Sequence, residues 1–254
     1  MLVDYHNHVI AHGEYDYSLN WLQEYLERAK AVGVDEIGFL EHDEFVDKIS
    51  LEVLRQAEIN NPEINIRLGL EIDYIPGREA EIRQLSTCLP FDYVMGSVHF
   101  IDGWGFDHPD YRHLYDNKEL FEVYKSYYEL VAQATNSERF DILGHLDLIK
   151  VWGHKLSKKK NYELLEPLFK AIKVSDTVVE INSGGLRKPV AELYPAEDLL
   201  PIMYGLDIPI CLGSDAHHPE QTGLFISEAC QAAKKAGYRY ITGFKRRNRY
   251  FHPI

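Results

Sequence analysis

Residues 2–8 read Leu2-Val3-Asp4-Tyr5-His6-Asn7-His8. A short β-branched and aromatic run ends in two histidines spaced i, i+2, and side chains two apart in an extended segment share a face. An imidazole pair at a strand end can grip one metal ion. Outward from this stretch the pattern recurs, with strands predicted over 36–40, 66–72, 93–98, 141–144, 177–182 and 208–212 and an eighth candidate at 238–243. Stretches of helical period lie between them, over 51–60, 79–88, 118–138, 161–174, 196–204 and 226–236. The first helix has Ser18 as its expected cap, an apolar face of Trp21, Leu22, Tyr25, Leu26 and Ala29, and Gly33 to end it. There is no internal repeat, no linker and no low-complexity segment. Seven or eight βα units argue for an α/β fold with a parallel sheet, closed into a barrel as one domain over residues 1–254. An open doubly wound sheet is the competing architecture.

Barrel geometry turns scattered residues into one site, because loops converge at the carboxyl ends of the strands. His6 and His8 end the first strand, Glu41 and His42 the second, Glu71 the third and His99 the fourth. His145 ends the fifth, Glu180 and Asn182 the sixth, and Asp215 and His217 the seventh; His12 follows the first. The expected metal ligands are therefore His6, His8, His12, His42, Glu71, His99, His145, Asp215 and His217. Five other histidines (His108, His113, His154, His218 and His252) carry no such placement and are read as surface residues. A single H-x-H is a weak signal, and its weight here comes from the rest of the set. Imidazole and carboxylate donors without thiolate suit Zn, Mn or Fe. Nine donors exceed what one ion accepts, so Glu71 is expected to bridge. Such clusters lower the pKa of a bridging water and clamp phosphoryl oxygens. Asp4 and Asp147, each two positions from a ligand histidine, are expected to fix imidazole tautomers.

Composition narrows the partners. Lys+Arg of 27 against Asp+Glu of 40 leaves a formal charge of −13, the wrong sign for holding a nucleic acid over a broad surface. A small anionic substrate is still accommodated where bound cations reverse the field locally. Three separated cysteines do not form a disulfide framework, the amino terminus does not resemble a signal peptide, and no apolar run reaches the ~20 residues of a membrane span. A cytoplasmic protein with no membrane partner is expected. The turn Ser183-Gly184-Gly185-Leu186-Arg187-Lys188-Pro189 is the expected phosphate contact, through backbone N–H groups, Ser183, Lys188 and a bidentate Arg187. The long loop after His99 offers Trp104 and Asp107 to a cationic end of the substrate. The basic runs 155–160 and 245–249 are read as solvated faces.

Taken in order, the segments DYHNH (4–8) with His12, FLEHDEF (39–45), GLEIDY (69–74), GSVHF (96–100), GHLDLIK (144–150), EINSGGLRKP (180–189) and LGSDAHHP (212–219) resemble the PHP (polymerase and histidinol phosphatase) family, in its histidinol-phosphate phosphatase branch. The resemblance implies a distorted barrel of seven βα units and a site for three divalent ions. His6, His8, Glu71 and Asp215 would hold one, Glu71, His99 and His145 a second, and His12, His42 and His217 a third. It implies hydrolysis of L-histidinol phosphate to L-histidinol and phosphate in histidine biosynthesis. Asp215, Arg187 and His42 are the expected catalytic residues, Arg187 absorbing equatorial charge, with a metal-bound water or an acid such as Asp215 both open as the proton donor to the leaving alkoxide. A phosphoesterase of another small ester, such as a nucleotide or sugar phosphate, is the first alternative, and a metal-holding module without turnover is another. An amidohydrolase-like barrel also opens with H-x-H, but usually carries a bridging lysine after its fourth strand, where this chain reads Gly96-Ser97-Val98-His99.

Overall fold

The computed structural model describes residues 1–254. Seven parallel strands run in the order β1 (Val3–Asn7), β2 (Glu36–Phe39), β3 (Asn65–Asp73), β4 (Tyr93–Ser97), β7 (Ile142–Leu143), β8 (Val178–Asn182) and β9 (Ile210–Gly213). The minor strands β5 (Phe100–Ile101) and β6 (Trp104–Gly105) pair as a small hairpin in the loop after β4. Six of the barrel strands, β1, β2, β4, β7, β8 and β9, are buried at every position, as a sheet covered on both faces must be. Helices α1 (Leu19–Ala31), α2 (Leu51–Asn60), α3 (Glu79–Leu85), α4 (Leu120–Asn136), α5 (Lys158–Ser175), α6 (Leu200–Gly205) and α7 (Ile226–Ala236) alternate with them. In α1 the buried residues are Leu22, Tyr25, Leu26 and Ala29, four of the five predicted for its apolar face, and the fifth, Trp21, is half-buried. Ser18 holds the cap position through its carbonyl alone and makes no side-chain cap, whereas Ser50 and Ser157 cap α2 and α5 with their hydroxyls.

The barrel closes without a full ladder between its first and last strands. Ala216, beyond the end of β9, donates to the His6 carbonyl at 3.0 Å, and His8 donates back to the Ala216 carbonyl at 2.7 Å. The seam therefore runs through the segments that carry the H-x-H and D-x-H pairs, and it brings them together.

The eighth predicted strand is not part of the barrel. β10 (Tyr240–Lys245) pairs antiparallel with β11 (Asn248–Pro253) through a two-residue turn at Arg246-Arg247, where both residues have positive φ (50° and 64°). Such turns normally carry Asn-Gly or Asp-Gly. Here Asp92 replaces that preference, accepting the Arg246 N–H on its carboxylate (2.8 Å) and the Arg247 N–H on its carbonyl (2.9 Å). The hairpin lies across the amino ends of the strands. Arg247 pairs with Asp141, Arg249 with Asp176 at 2.9 Å, and Phe244 is fully buried against Tyr5 and Tyr93. The basic run 245–249 is thus a clamp on the barrel floor rather than a free solvated face.

Inside the barrel, the Tyr93 ring fills space left by two glycines, and its hydroxyl donates to the Tyr5 carbonyl at 2.6 Å. A Cβ on Gly69 would lie 2.4 Å from the ring and one on Gly38 would lie 2.1 Å from the hydroxyl. Ring and backbone here leave no room to relax. Gly69→Ala is expected to destabilise the fold by roughly 1–3 kcal/mol through overpacking; a urea midpoint equal to that of the parent would refute this.

Candidate metal centre

Every predicted ligand lies at the carboxyl end of its strand, and the centre of the set is Glu71. It sits within the nine-residue strand β3, almost fully buried, and a parallel bridge places His42 beside it. Oε1 of Glu71 is 3.1 Å from His145 Nε2 and 3.9 Å from His99 Nε2; Oε2 is 3.5 Å from His6 Nε2, 3.3 Å from His8 Nε2 and 3.2 Å from His42 Nδ1. One carboxylate thus faces five imidazoles from four strand ends. Asp215 Oδ1 reaches the same space, 3.6 Å from His6 Nε2 and 4.0 Å from His8 Nε2. Three groups of donor atoms are close enough to share an ion each: His6 with His8 and Glu71, Glu71 with His99 and His145, and His8 with His42 and His217. His12 is exposed on the loop after β1, with its ring stacked on those of His217 (4.7 Å) and His42 (5.4 Å).

The donors fit divalent metal. Atoms set tetrahedrally about 2.0–2.1 Å from a zinc ion lie roughly 3.3 Å apart, close to the observed separations. Glu71 Oε2, His42 Nε2 and His217 Nε2 are buried and have no hydrogen-bond partner in the protein. Buried polar atoms normally find one, and a cation is the partner these atom types have in common.

Electrostatics separate the roles. Burial alone would raise the Glu71 carboxyl, but the imidazoles of His6, His145 and His42 overcome it and hold the group ionised, well below the usual carboxylate range. Asp215 is held down in the same way by His6, His217 and His145, with Lys188 adding to them. Burial, reinforced by neighbouring imidazoles, lowers His42 and His8 and takes His217 to about 3, so all three keep a free lone pair at neutral pH. For His6 and His99 burial is outweighed by Glu180 and by Asp73, whose carboxylates lie 2.7 Å and 2.5 Å from the respective Nδ1 atoms.

Those two carboxylates take the place expected of Asp4 and Asp147. Asp4 binds no imidazole; it accepts from Ser214 N (2.8 Å), Ser214 Oγ (2.6 Å) and Gly223 N (2.9 Å), tying β1 to the loop after β9. Asp147 accepts from Lys150 Nζ (2.8 Å) and Ala196 N (3.1 Å). The spacing rule fails because β1 shifts register between Asp4 and Asn7, and His145 has a φ of +22°, so neither pair sits on unbroken extended backbone.

The glycine turn also differs from expectation. Residues Gly184–Arg187 form a 3₁₀ turn, and the N–H groups of Ser183, Gly184, Leu186 and Lys188 are engaged with Gly213 O, Asn182 Oδ1, Ser183 O and Gly185 O. A cradle of free N–H groups is therefore absent at those positions. Gly184 serves instead to let Asp215 approach, since a Cβ there would lie 2.9 Å from the Asp215 Cβ. Ser183 is buried, with its hydroxyl donated to Leu224 O at 2.7 Å. Arg187 Nη2 donates to the Asp215 carbonyl at 2.7 Å, bracing that residue at a φ of +56°, and Nη1 is buried with no partner. Lys188 is exposed. In the loop after β4, Trp104 is buried against Phe106 and Tyr115, with its indole N–H on Tyr111 O and Lys118 over its ring. Asp107 lies near enough to His99 to add to the forces raising that imidazole's pKa.

The PHP domain matches residues 4–184. The chain belongs to the PHP family. A probable histidinol-phosphatase of Deinococcus radiodurans is 39% identical over 179 residues, spanning 70% of this chain and 68% of that one. The histidinol-phosphatase of Lactococcus lactis is 28% identical over 264 residues, covering 95% and 94%. A crystal structure of the L. lactis histidinol phosphate phosphatase, complexed with Zn, L-histidinol and phosphate, matches 98% of both chains at a TM-score of 0.83 and 25% identity. The putative enzyme of Listeria monocytogenes shares the fold, with a TM-score of 0.74 at 22% identity over 89% of this PHP chain and 99% of that one.

Two expected outcomes follow from the centre itself. Glu71→Gln removes the shared charge, and elemental analysis after gel filtration is expected to find bound metal cut to a small fraction of the parent's; unchanged content would exclude Glu71 as a ligand. Glu41, buried beneath the His12 loop with Val9 N and Ile10 N donating to it, is pushed up by burial from 4.5 to about 8. In metal-free protein the folded state then keeps a proton that the unfolded chain has already lost above 4.5. The resulting stability is fully present below that value and is lost as pH climbs to about 8, at up to about 1.4 kcal/mol per pH unit. Glu41→Gln is expected to flatten this dependence in urea melts taken across the window, and parallel curves would contradict the assignment.

Proposed function

We propose that this chain is a metal-dependent phosphomonoesterase that hydrolyses L-histidinol phosphate to L-histidinol and phosphate, as a step of histidine biosynthesis. The observation that carries the reading is the near-complete match to the L. lactis structure holding Zn, L-histidinol and phosphate. An imidazole–carboxylate cluster at the mouth of the same barrel supports it.

The assignment is for three divalent ions drawn from Zn, Mn and Fe. His6, His8, Glu71 and Asp215 take the first, Glu71, His99 and His145 the second, and His42 and His217 the third, with His12 completing it from the exposed loop. When bound, such ions supply Lewis-acid charge and activate the attacking water. The protein's own part is to hold their ligands and to receive the ester. Arg187, already anchored by Nη2, has Nη1 free to donate to a phosphoryl oxygen, and Lys188 adds positive charge beside Asp215. Ser183 lies in the same turn, but its hydroxyl proton is committed to Leu224 O, so its part is to hold the turn that carries Arg187. Asp215, held ionised, carries no proton of its own and is the candidate to take the proton that the attacking water loses and pass it to the leaving alkoxide, while His42 would hold a ligand lone pair toward the third ion. At the other end, Asp107 is the contact proposed for the cationic part of histidinol, and Trp104 fixes the loop that carries it.

Phosphate release from L-histidinol phosphate tests the whole reading, and comparable kcat/KM across unrelated phosphomonoesters would defeat the substrate assignment. Arg187→Ala is expected to lower kcat/KM by about 10²–10³, the range for one donor to developing charge. Asp107→Asn should raise KM for histidinol phosphate while leaving hydrolysis of a generic aryl phosphate unaltered; an unmoved KM would remove Asp107 from the substrate pocket.

A further inference from the structure

Glu180 carries three hydrogen bonds that join residues of two different metal groups. It is fully buried in β8. Oε1 lies 2.7 Å from His6 Nδ1, while Oε2 accepts from the backbone N–H of His145 at 2.8 Å and from Asn182 Nδ2 at 3.0 Å. Room for it comes from Gly213 on the adjacent strand β9, where an added Cβ would fall 2.0 Å from Oε1 and 2.7 Å from the His6 Cβ.

We propose that Glu180 is a positioning residue that sets the ligating faces of His6 and His145 together, so that the first two metal groups assemble as one unit. A carboxylate is acceptor-only, so it draws the imidazole proton to Nδ1 of His6 and leaves Nε2, 3.0 Å from His8 Nε2 and 3.5 Å from Glu71 Oε2, free to ligate. Its other oxygen holds the His145 backbone at a φ of +22°, a conformation non-glycine residues rarely adopt, from which His145 Nε2 reaches Glu71 Oε1 at 3.1 Å. Asp73 performs only the first of these tasks, and for one ligand, His99.

Glutamine cannot replace it, although its shape is the same. With the amide oxygen toward His6, the NH₂ meets two further donors, His145 N–H and Asn182 NH₂. With the amide turned over, the NH₂ faces His6 Nδ1 and forces the proton onto Nε2, where it blocks ligation. Either orientation damages one group or both.

The inference rests on the metal-site part of the proposed function and not on the phosphatase part. The test is chelator competition with elemental analysis on the zinc-loaded full chain. Glu180→Gln is expected to weaken ions of both groups by roughly 10–100-fold, whereas Asp73→Asn weakens a single class. Parent-like stoichiometry and chelator resistance in Glu180→Gln, with Asp73→Asn showing its loss, would overturn the inference. Should Glu180→Gln fail to fold, imidazole ¹⁵N spectra of the zinc-loaded parent decide the matter. Protonated Nδ1 with ligating Nε2 at His6 supports it, and ligation through Nδ1 overturns it. A parent that binds zinc in this coupled way but releases no phosphate from histidinol phosphate would sink the enzyme reading and leave the role of Glu180 standing.

Discussion

A carboxylate that is about 1% exposed and surrounded by imidazoles sets the terms for the rest of this molecule. Removing an ionised carboxylate from water costs several kcal/mol even after the protein relaxes. Glu71 is nevertheless held ionised, because the charges it faces outweigh the burial that would neutralise it. The compensation comes from His6, His145 and His42, and with His8 and His99 beside them the imidazoles around the carboxylate are supplied by the ends of β1, β2, β4 and β7, so this arrangement exists only where those four strand ends converge. A closed parallel barrel provides that convergence, and an open sheet would not.

Closure itself is tied to the same residues. The hydrogen bonds between Ala216 and the backbone of His6 and His8 complete the circuit, and Arg187 holds the Asp215 carbonyl next to them. Asp215 has a φ of +56° and His145 one of +22°, and strain of this kind persists only where the surroundings over-determine it. At the opposite end the β10–β11 hairpin closes the floor with Phe244 and a buried network in which Tyr5, Tyr250 and Arg67 all bond Glu36. The floor is thus fixed by packing and by paired charges while the mouth carries the clustered donors of the candidate site, the division of labour common to βα barrels.

The strand ends were legible because parallel strands buried on both faces read as apolar runs, and ligands follow where those runs stop. All nine predicted ligands lie at the mouth for that reason. The carboxylates that orient the imidazoles were not legible. Glu180 reaches His6 over the intervening strand β9 and Asp73 reaches His99 from the neighbouring strand, so their partners are 174 and 26 residues away, and spacing along one strand says nothing of them. Asp4 and Asp147 had the right spacing, but the β1 register shift and the turned backbone at His145 cancelled it. The floor hairpin escaped for a similar reason. Its turn carries two arginines where the sequence rule asks for asparagine and glycine, and Asp92, more than 150 residues upstream, supplies the missing preference.

The overall charge poses the remaining constraint on function. A formal charge of −13 attracts divalent cations and repels a phosphate ester, and two of the ionised carboxylates it counts, Glu71 and Asp215, lie within the ligand cluster itself. Bound cations reverse that field over the span of the cluster, but an ester must be held by groups beyond it as well. Among the residues proposed to meet the phosphate, Arg187 is set apart by having one guanidinium nitrogen committed to the Asp215 carbonyl and the other buried without a partner. A cation fixed at one end and unsatisfied at the other is already oriented before an anion arrives, so less side-chain freedom is lost on binding than a solvated lysine would lose. The brace that holds Asp215 in its strained conformation is therefore also, of the residues proposed to meet the phosphate, the one best prepared to receive it, and in the proposed function the geometry at Asp215 and the binding of the ester depend on one side chain.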